Sequence, residues 1–185
     1  MLALWILFLL ATSVIGLIGF AAFSNKKAKD LLPPVGTFAQ LGGTRLHYVD
    51  QGQGPVIVMI HGLAGNLHNF TYGVATPLSQ NYRVICVDRP ACGYSTRTSS
   101  ADASLEAQAD TIVSLLDHLQ IESAVFVGHS LGGAISLAAA LRHPHKVKAL
   151  ALIAPLTHLP ENTPKVFQVF DVTSPVIRKI LGWTL

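Results

Sequence analysis

A serine stands at the joint between two apolar runs. "AVFVGHSLGGAISLAAALRHP" (residues 124–144) carries a strand-like run to Val127, then Gly128-His129-Ser130-Leu131-Gly132, then apolar residues at helical spacing. A sharp turn from strand to helix pushes such a hydroxyl out over the end of a sheet, in a strained backbone conformation. Side chains at 128 and 132 would collide where strand and helix cross, which is a reason for glycine at both. The helix start aims backbone N–H groups at negative charge developing beside it. Such features would suit attack by a serine hydroxyl, with the negative charge that develops beside it held by N–H groups. The competing reading is a glycine-punctuated turn with an incidental serine. Gly-x-Ser-x-Gly is weak as a bare pattern, and its place between strand and helix supplies the weight.

Two more stretches join it. "HGLAGN" (61–66) and "DRPACGYS" (88–95) each follow an apolar strand-like run. In order and spacing, the three stretches resemble the α/β-hydrolase family over most of residues 36–155. The resemblance implies Ser130 as nucleophile and "GHSLGG" as its elbow. It implies an oxyanion hole of backbone N–H groups from Leu63, after His61-Gly62, and from Leu131. It gives His129, Gly128 and Gly132 the role of supporting the elbow. His61 then braces its loop, and Asp88 pins its own by hydrogen bonds. The remaining histidines (His47, His68, His118, His143, His145 and His158) read as surface or helix-end residues. Ala91 stands where the family usually has glycine, which puts the local conformation of that loop in question. A serine at the elbow argues against haloalkane dehalogenases and epoxide hydrolases, whose resemblance would require aspartate there.

The family's triad runs Ser, then Asp or Glu, then His along the chain. Glu161 lies too far into the cap and His158 comes too early, so the acid and base are expected beyond Leu185. The expectation is therefore a chain that represents the N-terminal portion of the fold. Without its base the serine is a poor nucleophile.

Strand and helix patterns position these residues. "GTFAQLGGTRLHYVDQGQG" alternates about Gly42-Gly43 as a hairpin does. Runs at 55–62, 82–90, 123–130 and 147–155 read as strands buried on both faces. Ser104 caps a predicted helix whose apolar face is Leu105, Ala109, Ile112, Val113, Leu116 and Leu119. Leu131–Leu141 is a second helix, and 67–80 has room for a short one. Alternation of this kind predicts an α/β fold with a mostly parallel, doubly wound sheet, and the resemblance implies that it is of the α/β-hydrolase type, incomplete at its C-terminal side. His61, Asp88, Ser130 and Pro155 fall at the carboxyl ends of strands, where such sheets gather ligands. Thr163-Pro164 and Ser174-Pro175 open two short amphipathic helices of a cap.

Only 12% of the 185 residues are charged, against about 25% in ordinary globular chains. Residues 1–24 account for much of this, since they contain no charged side chain. As a helix the run is long enough to cross a hydrocarbon core. It lacks a basic start and exceeds a signal peptide's apolar stretch, so an uncleaved transmembrane helix is expected. Lys26, Lys27 and Lys29 favour a cytoplasmic globular part. The expected organisation is an anchor at 1–24, a linker at 25–35, the hydrolase core at 36–155 and the start of a cap at 156–185. The dispersed net charge of +3 suggests no nucleic acid. Cys86 and Cys92 do not form a zinc pattern, and no metal or organic cofactor is implied. The expected partners are an apolar acyl substrate and, through residues 1–24, a membrane. The expected function is a membrane-anchored serine hydrolase of ester or related acyl bonds. A membrane-tethered binding protein that keeps half the fold without catalysis is the alternative.

Overall fold

β-branched residues crowd the runs 56–60 and 83–87, and in the computed structural model both are strands buried on both faces. The structure describes residues 1–98 and 102–157. The two expected cap helices, His158 and Glu161 lie outside those residues. Two units are described separately: residues 1–34 and residues 35–157.

The first unit is helix α1 (Leu2–Leu31). Its Leu4–Ser24 stretch is apolar enough to cross a membrane, with a mean hydropathy of 2.5. An anchor and a signal sequence both fit that length and composition. The Thr12 and Ser13 hydroxyls donate back to carbonyls of the preceding turn, so neither needs an outside partner. The helix does not stop at Ser24. Residues 25–31, expected as linker, continue it, and Lys26 pairs with Asp30 one turn on.

The second unit is built on six strands among the described residues: β1 (Thr37–Leu41), β2 (Thr44–Gln51), β3 (Val56–Ile60), β4 (Arg83–Val87), β5 (Ala124–His129) and β6 (Val147–Ile153). Their order is β1-β2-β4-β3-β5-β6. β1 and β2 form the expected hairpin and join β4 antiparallel; β4, β3, β5 and β6 run parallel. Helices α4 (Leu105–His118) and α5 (Leu131–Arg142) cover one face, where Ile112, Leu116, Ile135 and Ala139 meet Val58, Ile60, Ile85 and Phe126. The other face carries α2 (His68–Thr71) and α3 (Ala75–Leu78), with Leu67, Phe70 and Ala75 on Met59, Val84 and Cys86. The single short helix expected within 67–80 is thus two, separated near Gly73.

Ser104 caps α4 as expected, its hydroxyl accepting from Ala107 N–H at 3.2 Å. Leu115, which lies off the apolar face read from sequence, is also fully buried. Asp110 on α4 ties down the end of α5, accepting two hydrogen bonds from the Arg142 guanidinium and one from His143 Nε2. β6 departs from expectation. Its residues alternate between half-buried and exposed, because among the described residues it has one neighbouring strand, β5, and lies at the sheet edge.

Candidate active site

The register of the parallel sheet places Ile60 beside Gly128, so the ends of β3 and β5 are neighbours. The chain beyond β3 is His61-Gly62-Leu63, and beyond β5 it is Ser130. Two motifs far apart in sequence therefore meet at one carboxyl end of the sheet.

Ser130 takes φ +53° and ψ −117°, a conformation that side chains rarely adopt. Its surroundings hold it there. Ser130 N–H donates to Ile153 O at 3.0 Å, and Ser130 O accepts from Gly133 N–H and Leu156 N–H, both at 2.9 Å. The turn has no room for side chains at its glycines. A Cβ on Gly132 would fall on the Ile60 carbonyl, and one on Gly128 would fall on the Gly132 carbonyl. Gly62 lies against Ser130, where an added Cβ would sit 3.0 Å from Ser130 Cβ and 3.1 Å from His129 Nδ1. The exposed His129 ring thus borders the joint between the two loops. Leu131 opens α5, and neither its N–H nor that of Leu63 has a backbone acceptor among the described residues. Two free backbone donors beside a serine in this conformation can stabilise an oxyanion on a carbon bonded to Ser130 Oγ.

His61 is completely buried. Its Nε2 accepts from Arg89 N–H at 3.1 Å and its Nδ1 meets Gly62 O at 2.8 Å. One tautomer satisfies both contacts: Nδ1 carries the hydrogen and donates. Burial first, and the Arg89 charge second, push its pKa down to about 4. The ring is neutral at pH 7 and both nitrogens are occupied, so it braces its loop and has no free lone pair for base catalysis.

Asp88 accepts from Leu67 N–H, Tyr94 N–H and His47 Nδ1, at 2.8, 2.8 and 2.7 Å. Burial raises its pKa, but the His47 and backbone hydrogen bonds outweigh this and hold the carboxyl below the usual range. Asp88 joins the loop after β3, the loop after β4 and strand β2. His47 corrects the surface assignment made from sequence. It is buried on β2, beneath Phe38 and against Tyr94, and its Nε2 meets Val35 O. Ala91 takes φ +63°, the left-handed conformation that glycine adopts without strain. The loop keeps that conformation despite the substitution. Cys86 is buried and its thiol is pushed up to about 12, while Cys92 is free and half-buried in the loop.

Arg89 was not singled out in the sequence. It is only 4% exposed, and its Nη1 and Nη2 donate to Gln108 Oε1 at 2.8 Å and Gly62 O at 3.0 Å. A charged residue in a polar loop ordinarily reads as solvated, and no local signal marks this one as buried. Among the described residues, no histidine or carboxylate is hydrogen-bonded to the Ser130 hydroxyl.

A profile of the alpha/beta hydrolase fold matches residues 55–185. The chain is 37% identical over 123 residues to a 2-hydroxymuconate semialdehyde hydrolase of a Pseudomonas species, covering 65% of this chain and 44% of that one. Two solved structures are similar to this chain. One is of an enzyme that degrades N-acyl homoserine lactones (29% identity, TM-score 0.64, 71% of this chain and 52% of that one). The other is of a membrane phospholipase A (25% identity, TM-score 0.67, 92% of this chain and 56% of that one). The chain spans less than half the length of the curated relatives it matches and about half that of these two structures.

Proposed function

The chain belongs to the α/β hydrolase fold family, and from that premise we propose a membrane-anchored serine hydrolase of ester or related acyl bonds. The observation that carries the proposal is Ser130 at φ +53° between β5 and α5, flush with Gly62. In the first step Ser130 Oγ attacks the acyl carbonyl carbon while its proton goes to a general base. The carbonyl oxygen becomes an oxyanion between Leu63 N–H and Leu131 N–H. Collapse expels the alcohol, which takes up the proton, and leaves an acyl-serine. Water then attacks that ester, releasing the acid and restoring the hydroxyl. The base and its orienting acid come from residues outside the described ones. His61 and Asp88 are already engaged in holding the loops.

Helix α1 fixes the protein at a lipid surface, and Lys26 and Lys27 keep its globular part on the cytoplasmic side. An apolar acyl substrate partitions into the same surface. Similarity to a membrane phospholipase A along 92% of this chain supports that reading. The test is a fluorophosphonate probe applied to membranes containing the protein at its full natural length. Labelling is expected in wild type and absent in Ser130→Ala. Unchanged labelling of the alanine variant removes Ser130 from the mechanism.

A further inference from the structure

Three donors converge on one carbonyl oxygen. Gly62 O accepts from His61 Nδ1 at 2.8 Å, from Arg89 Nη2 at 3.0 Å and from Gly65 N–H at 3.3 Å. A carbonyl oxygen has two lone pairs, so this one is fully subscribed. The amide it belongs to is Gly62–Leu63, and the N–H of that same amide is the Leu63 donor beside Ser130. The peptide is planar and trans, so a C=O fixed inward sends its N–H outward. Hydrogen bonds to a carbonyl also polarise the amide and strengthen its N–H as a donor.

Arg89 is the unexpected member of this set. A guanidinium 4% exposed, with no carboxylate in ion-pair range among the described residues, is costly to bury. Its Nε is buried without a partner. Gln108 Oε1 holds one arm at 2.8 Å, and the Gln108 amide nitrogen in turn donates to Ala103 O just before α4. The side chain is thus held from α4 and delivers its charge to the oxyanion loop. The geometry points to Arg89 as the positioning residue of the oxyanion hole: through the Gly62 carbonyl it aims and polarises the Leu63 N–H that receives the transition-state oxyanion. This rests on the acyl-transfer reading of Ser130.

The experiment compares wild type, Arg89→Met and Arg89→Lys at full natural length in detergent. Ser130→Ala serves as the reference for the underlying mechanism. In Arg89→Met, kcat for an ester substrate is expected to fall by at least about tenfold, a fraction of what losing an oxyanion donor costs, with KM unchanged. Affinity for an alkylboronic acid, which becomes tetrahedral on serine, should fall by the same factor. The Leu63 amide resonance should move upfield in a nitrogen–proton spectrum, and Arg89→Lys should recover part of the loss. If Arg89→Met does not melt cooperatively, Gln108→Leu, which frees one guanidinium arm, is measured in its place and should lower kcat in the same direction. Unchanged kcat and boronate affinity, or a Leu63 resonance that stays in place, overturns the assignment. Hydrolysis that survives Ser130→Ala instead overturns the acyl-enzyme reading, while the Leu63 resonance still reports on Arg89 alone.

Discussion

Ala91 and Ser130 share a positive φ, and under the proposed acyl transfer only Ser130 has a chemical reason for it. Ser130 must project its hydroxyl. Ala91 merely turns a loop, so replacing it with glycine removes a Cβ clash without touching the site. Ala91→Gly should raise stability by about 0.5–1 kcal/mol, once the greater freedom of unfolded glycine is offset. Chemical denaturation with the midpoint compared at constant slope checks this. His61 makes a second prediction. Its folded value near 4 lies below the ordinary 6.5, so between those values the unfolded chain binds more protons. The stabilisation from keeping the ring neutral is fully present above pH 6.5 and is lost as pH falls toward 4, by up to about 3 kcal/mol. In His61→Gln the stability slope between pH 6.5 and 4.5 should be flatter than in wild type; equal slopes would show that another group carries it. Ser130, Gly62 and Asp88 could be picked out from motifs because their neighbours are fixed in sequence. His47 and Arg89 could not, because what buries them is the packing of β2, the loop after β4 and α4 against one another.

Among the elements, the strands buried on both faces and the capped helix α4 were plain in the sequence. Apolar runs of four or five residues ended by His-Gly or Asp, and a serine before a 3.6-residue period, leave few alternatives. The pair α2 and α3 was less plain, since two four-residue helices have no period to detect. β6 reads as buried from composition alone, yet burial depends on which strands flank it. The junction of β5 and α5 leaves no room for a side chain at Gly132. Gly132→Ala should lower stability by about 2 kcal/mol or more, because the new methyl group meets the Ile60 backbone, which cannot rotate away. Thermal melting of the variant measures it, and a melting curve superposable on wild type would mean that β5 and α5 can shift as a unit.

For the whole molecule, the expected behaviour is that of a membrane protein. After alkaline carbonate extraction the chain should stay with the membrane pellet and keep Met1 or its immediate neighbours as the N-terminus. Recovery in the supernatant, with an N-terminus near Asn25, would mean that α1 is a cleaved signal sequence.

The strand order also has a consequence for synthesis. β3 pairs with β4 on one side and with β5 on the other. On the ribosome β4 follows β3 after only the two short helices α2 and α3, but β5 emerges only after α4 has been made. For that interval Ile57–Ile60, among the most buried residues of the finished sheet, present an open apolar strand edge. The nascent chain therefore exposes an apolar strand edge just where the loop after β3 will later begin, and the arrival of β5 both hides that edge and brings Ser130 to Gly62.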